Sequence, residues 1–482
     1  MYVTRRAFVG LGAAAGVTVL GGRSATWFTG APLAGRAQSA GNEARLTSVD
    51  GRLDVELVAS EQWIALAGAP ARLWSFNGQV PGPLLEVAAG DDVRIRLSND
   101  LSESTNLHFH GLHVPPDGTA DNIFLAVPPG EALAYVFRIP ENHPAGLFWL
   151  HPHLHGSVAR QVSLGLAAPL VIRGALDAIP EVAAAREHIL VLQDFALDRL
   201  GRPVDPGMSA LMAGREGSLV TVSGQARPRY AVEQDGLLRL RLLNASVSRF
   251  YRLSLEDHPL HIIATDGGSL AAPQRVEELL LAPGERRDVL VQGVRAGGSY
   301  RLMNLPYPRG SAGMMGGALG TRTPFEIATV VYEGRAGSPV GVPHTLGEME
   351  RLPPGPLRRT FVLSEAMGMV PGRGMGMRFL INGREFDHAR IDDRVRLGDV
   401  EDWEYVNTTD MDHPMHVHTN AFQRVGADGQ AQPAWLDGVV VPARGRARIR
   451  IRFTDFAGTA VQHCHILDHE DLGMMSTVKI EP

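Results

Sequence analysis

Three stretches of the chain alternate apolar and polar residues in the same way. Gly90 to Asn99 reads GDDVRIRLSN, Gly236 to Asn244 reads GLLRLRLLN, and Gly398 to Asn407 reads GDVEDWEYVN. Each follows a turn (FNGQVPGP, VSGQARP, INGREF), opens on Gly and closes on Asn, and the copies recur about 150 residues apart. A period of two belongs to a strand with one buried face. Short segments of this kind, punctuated by Gly and Pro, fill the chain, and amphipathic helices are scarce. The pattern predicts an all-β protein of three tandem Greek-key β-sandwich domains over 45–175, 186–335 and 357–482. Linkers are expected near RGALDAIPEVAAAREH and GRAGSPVGVPHTLGEMERLPPGP, where alternation gives way to Pro, Gly and charge.

Composition narrows the class. With 44% hydrophobic and 20% charged residues, 54 Gly and 32 Pro, the chain is globular and rich in turns. A net charge of -6 and a pI near 6.3 give no basic footprint, so nucleic acid is not an expected partner. The first 40 residues look like a twin-arginine export signal. Thr4, Arg5, Arg6 and Phe8 stand at its characteristic positions, an apolar run from Val9 to Leu20 follows, and cleavage is expected near Ser39 or Ala40. That run has 12 residues, against the roughly 20 needed to span a bilayer. The mature protein is therefore expected in the periplasm or outside the cell, without a membrane anchor.

An exported chain ordinarily uses cysteine in disulfides, yet this one has a single cysteine, Cys464, between two histidines in VQHCHILDHEDLGMM. Among 482 residues with 18 His, fewer than one His-x-His pair is expected by chance, and there are five. They lie in LHFHGLH (His108, His110), WLHPHLHG (His151, His153, His155), HPMHVH (His416, His418) and HCH (His463, His465). On a strand, residues i and i+2 share a face, so each pair can offer two imidazoles to one site. Setting His155 aside leaves eight histidines, enough for three metals with open positions. In HCH, the same parity sends Cys464 to the opposite face and to a different metal. His413, His469 and Met474 are near it in sequence, and two His, a Cys thiolate and a weak axial Met make a blue-copper electron-transfer site.

In these motifs the chain resembles the multicopper oxidases, over nearly all of its mature length. HFHG, HPH after Trp149, HPMHVH and HCHILDHEDLGMM occur in the family's order. The resemblance implies four copper ions and three cupredoxin-like domains, with a trinuclear cluster between the first and third. It implies His413, Cys464, His469 and Met474 as type 1 ligands and His108 and His416 as type 2 ligands. His110, His151, His153, His418, His463 and His465 would hold the type 3 pair. Cys464 is then a covalent bridge for electrons to its neighbouring histidines. His113 and His155 stand beside ligands and read more readily as surface histidines, and His261 as structural.

Reducing O₂ to two waters consumes protons, so buried carboxylates are expected near the cluster. Glu470 and Asp121 resemble acidic relay positions of bacterial members, with Asp117 a neighbouring alternative to Asp121. The donor is less constrained. Met314, Met315, Met367, Met369, Met375 and Met377 lie in Gly-Met stretches expected to be loops, and Met411 and Asp410 precede His413. Thioethers suit Cu(I), so these residues fit collection of cuprous ion; they equally fit loops without function. The expected activity is a monomeric laccase-like oxidase using O₂ and either small aromatic donors or Cu(I). Its alternatives are an exported copper-binding or tolerance protein and an envelope scaffold without turnover. A scaffold relative would have lost ligands, and a copper store has no need of the cysteine bridge.

Overall fold

The structure, a computed structural model, describes residues 44–294, 297–311, 318–336, 339–355, 357–370 and 374–482. The stretch 1–40, expected to be an export signal, and Met314 and Met315 lie outside the described residues. Six large sheets form three pairs, each pair drawing its strands from one stretch of chain: 45–173, 186–336 or 357–481. The three alternating segments become Asp92–Asn99, Leu237–Asn244 and Val400–Asn407, each the third strand of its sheet. Every one runs parallel to an earlier strand of the same stretch, with Ala59 opposite Asn99, Leu192 opposite Asn244 and Leu363 opposite Asn407. Large buried clusters that include Leu97, Leu240 and Trp403 fill the three sandwiches.

The terminal Asn of each copy has one task. The side-chain oxygens of Asn99, Asn244 and Asn407 accept the N–H two residues on, at 3.0, 3.0 and 2.9 Å. Their amide nitrogens donate to carbonyls across the sheet edge, including those of Val127, Leu281 and Val441. This turn exploits the short polar side chain and ends each strand at the same place. The preceding turns are alike too: Asn77, Ser223 and Asn382 sit at φ 53, 46 and 53°, each followed by a Gly at positive φ.

Two expectations change at this level. The methionines 367, 369, 375 and 377 are not in loops: Leu357–Val370 pairs with Gly374–Ile381, setting Met367 opposite Met377 and Met369 opposite Met375. The Met-Gly-Met alternation is strand periodicity, and the glycines disguised it as flexibility. The expected linker after Arg173 is also no free tether. Arg173, Asp177 and Glu187 join the buried Arg239, Arg241 and Asp288 in one ion network. Among the described residues no helix is long and apolar enough to cross a membrane.

Candidate metal centres

The strands carry the histidines into two buried pockets. His108–His110 is the edge strand of its sheet and pairs with Gly146–His151, so His108 faces His151. In the third sandwich, His413–Val417 pairs with Gly458–Cys464; His416 is opposite His463, and Met415 is opposite Cys464 on the other face. The parity argument therefore holds in space. The ligand atoms of His108, His110 and His151 lie within 4.8 Å of one another, as do those of His108, His416 and His418 and of His153, His418 and His463. His465 Nε2 is 3.3 Å from His110 Nδ1, which brings the eighth histidine in. All eight are at most 3% exposed.

Cys464 belongs to the second pocket. Its Sγ is 3.4 Å from His413 Nδ1 and 3.9 Å from His469 Nδ1, and the two Nδ1 atoms are 3.4 Å apart. Met474 is fully buried in the same cluster, and its carbonyl accepts the Cys464 N–H at 3.0 Å. Phe379 stacks on His469 with ring centres 3.9 Å apart.

A metal fits both pockets because the imidazoles are already turned for it. A carbonyl oxygen only accepts, so the ring nitrogen facing one carries the proton and the other nitrogen keeps its lone pair. His151 Nδ1 donates to the Pro152 carbonyl at 2.9 Å, His416 Nδ1 to that of Asp437 at 2.8 Å, and His463 Nδ1 to that of Cys464 at 3.0 Å. His108 Nδ1 meets Asp121 Oδ1 at 2.8 Å. The Nε2 atoms of His108, His151 and His416 are left buried without a partner, an arrangement costly in an apolar interior. His153 and His418 each turn Nε2 to within 3.1 Å of His463 Nε2. In the second pocket, His469 Nε2 donates to the Met212 carbonyl at 3.2 Å and His413 Nε2 meets Thr409 Oγ1 at 2.8 Å, freeing both Nδ1 atoms beside the sulfur.

Charge points the same way. Burial, and after it the neighbouring imidazoles, holds His108, His153, His418 and His465 well below the usual histidine range, which keeps these rings neutral, the form that can bind a metal. Burial lowers His151 and His413 to about 3. It also pushes the Cys464 thiol far above its ordinary value, so a cation must supply the stabilisation that a thiolate needs.

Both expected carboxylates stand at the histidine cluster. Asp121 is 2% exposed, accepts the Phe109 N–H at 2.8 Å and lies 3.8 Å from His418, whereas Asp117 is exposed. Burial raises Asp121 to about 8. Glu470 is buried 3.1 Å from His463 Nδ1 and 3.4 Å from His153 Nδ1. The remaining histidines lie apart. His155 lines a cavity of about 860 Å³ that His153 also borders, and packs edge-on against Phe386; His113 links the Thr419 carbonyl to Asp455; His261 sits in a strand of the middle sandwich. Met411 is buried, while Asp410 pairs with Arg444 at 2.7 Å.

Several residues at the pockets escaped the sequence reading. Asp437 reaches His110 Nε2 at 3.3 Å and is clamped by Arg286 of the middle sandwich. Charges leading into apolar runs, in WLDGVVV and GERRDVLV, were the available hint. Thr409 follows from the Asn407 turn, while the Met212 contact is a backbone carbonyl and leaves no trace in sequence.

Multicopper oxidase family profiles match residues 57–176, 188–334 and 361–482. The multicopper oxidase mco of Staphylococcus haemolyticus is 27% identical over 417 residues, 84% of this chain and 83% of its own length. The cell division protein FtsP of Escherichia coli K12 is 30% identical over 412 residues, covering 80% and 81%. The solved multicopper oxidase of Campylobacter jejuni, described as a metallo-oxidase, aligns at TM-score 0.78 and 30% identity over 90% of this chain and 92% of its own. With two metal-ready pockets set in three sandwiches, the chain belongs to the multicopper oxidase family. Membership implies copper binding and copper oxidoreductase activity with O₂.

Proposed function

We propose that the chain is an exported, monomeric oxidase of the laccase or cuprous oxidase type, which takes single electrons from a phenolic or aromatic donor or from Cu(I) and reduces O₂ to water. The carrying observation is the convergence of imidazole lone pairs in two buried pockets that share the segment His463–Cys464–His465. Four copper ions, one with His413, Cys464, His469 and Met474 and three among the eight histidines, would supply one-electron oxidation at the Cys464 pocket and four-electron reduction of O₂ at the eight-histidine pocket. The two pockets are tied through the backbone of Cys464, a path on the order of 10 Å.

The chain's residues prepare the rest. Asp121, raised to about 8 by burial, accepts from His108 with one oxygen and can carry a proton on the other, which faces His418, and Glu470 is within reach of His153 and His463. Both are suited to pass protons to the cluster. On the donor side, alternation puts Met375 and Met377 on the same face as Phe379, with Met367 and Met369 across the hairpin. Met367, Met369 and Met375 are 60 to 68% exposed, a thioether surface leading inward to the ring stacked on His469. Half-buried Glu365, opposite Phe379, adds a carboxyl group there, beside the Asp410–Arg444 ion pair.

Copper analysis with O₂ uptake on purified protein tests the proposal. Four coppers per chain and uptake driven by Cu(I) or a phenol are expected; a chain that binds no copper overturns it. The likeness to FtsP supports a second reading, an envelope role without turnover, which copper-loaded protein inert towards every donor would establish.

A further inference from the structure

The middle sandwich gives neither pocket a histidine, yet one of its turns enters the eight-histidine pocket. Gly284, at φ +83°, lies so close that a Cβ there would stand 2.8 Å from His465 Nε2 and 3.0 Å from His110 Cε1. Two residues on, the buried Arg286 guanidinium grips Asp437 at 2.8 and 2.6 Å, a two-pronged charge-assisted pair. Its remaining bonds go to the Leu147 carbonyl of the first sandwich at 3.0 Å and to the Gly284 and Asp266 carbonyls of its own at 3.1 and 2.9 Å. One side chain thus joins all three sandwiches behind the cluster.

Asp437 transmits that grip. Its Oδ1 is 3.3 Å from His110 Nε2 and its carbonyl takes the His416 Nδ1 proton at 2.8 Å. His110 is unusual among the cluster histidines because it offers Nδ1 to the pocket, 3.3 Å from His465. A ring flip would exchange that nitrogen for a carbon. Gly111 leaves the room for this contact: a Cβ there would sit 2.2 Å from the Arg286 guanidinium and 2.6 Å from Asp437 Oδ2.

We propose that Arg286 is a positioning residue for the copper cluster: by clamping Asp437 from the middle sandwich it fixes the ring orientation of His110 and His416, and so sets how tightly copper is held there. Without Arg286, Asp437 is a buried carboxylate short of two bonds, free to turn from His110. The inference rests on the oxidase proposal for the metal and adds a residue outside the family ligand set read from the sequence.

The test uses full-length copper-loaded protein dialysed against graded chelator, with copper counted per chain and the blue absorption of the Cys464 pocket as an internal reference for the fold. Arg286→Met should release cluster copper at roughly 10- to 100-fold lower chelator than the parent, the usual cost of losing such an outer partner, with the blue absorption unchanged. Arg286→Lys, which keeps the charge and loses the fork, should recover part of the retention. Asp437→Asn, close in volume, should shift retention the same way and serves if Arg286→Met fails to fold. Parent-like retention in these variants overturns the inference. So does loss of cluster copper and blue absorption together, which would make Arg286 a brace for the whole fold. A parent chain that holds no copper would overturn the oxidase proposal as well.

Discussion

The two pockets are built from the same side chain and backed differently. In the Cys464 pocket, the outer nitrogens of His413 and His469 face a hydroxyl and a backbone carbonyl. Behind the eight histidines stand three carboxylates, Asp121, Glu470 and Asp437. A neutral oxygen fixes a ring and exchanges no proton near neutral pH, whereas a carboxylate can do both. The contrast matches a division of labour in which one pocket handles electrons alone and the other handles electrons with protons.

The comparison can be broken most decisively at the sulfur. Cys464→Ser should abolish the blue absorption and oxidase turnover while copper remains in the histidine cluster. A blue, active variant would refute the assignment of the smaller pocket. Next in size, Glu470→Gln and Asp121→Asn should each lower kcat by about 10²- to 10⁴-fold, the range for a lost proton-transfer group. The blue absorption and donor KM should stay; steady-state kinetics that show a donor KM effect without a kcat effect would erase the distinction between the pockets.

A third expectation concerns acid and the copper-free chain. His108, His110, His151, His153, His416, His418 and His465 have folded pKa values below the unfolded 6.5, so their contribution is present above that pH and is lost as pH falls through the folded values, about 3 for His151. Copper-free protein should therefore lose Tm steeply below about pH 6.5, and copper should blunt the loss, more for the eight-histidine pocket than for the other. Equal slopes with and without copper would contradict the neutral-ligand picture. The smallest effect belongs to the donor surface. Replacing Met367, Met369, Met375 and Met377 together by Leu roughly conserves volume and should leave the fold intact. It should raise the Cu(I) KM and leave oxidation of a phenol unchanged; an unaltered Cu(I) KM favours the phenol reading.

Sequence carried the fold class and the gathering of the histidines for a physical reason. The period of two is imprinted by one-sided burial, as in Asp92–Asn99, and His-x-His puts two imidazoles on one strand face, as with His108 and His110. What stayed hidden acts through three-dimensional adjacency. Asp437 and His110 are separated by 327 positions, and Arg286 and Asp437 by 151. Glycine misled as well as informed: between methionines 367 and 377 it looked like slack, although the strands pair there in regular register.

The Asn-closed turn repeated in each sandwich has a consequence in time. Each copy locks strands drawn from a single stretch of chain, so every sandwich can gather its own strands early, with modest loop closure. His413, Cys464 and His469 fall within 57 residues, whereas His110 and His465 are 355 apart and meet only when whole sandwiches dock. The sulfur pocket should consequently mature first and the histidine cluster last, making final docking the step at which a newly made chain acquires its full complement of metal.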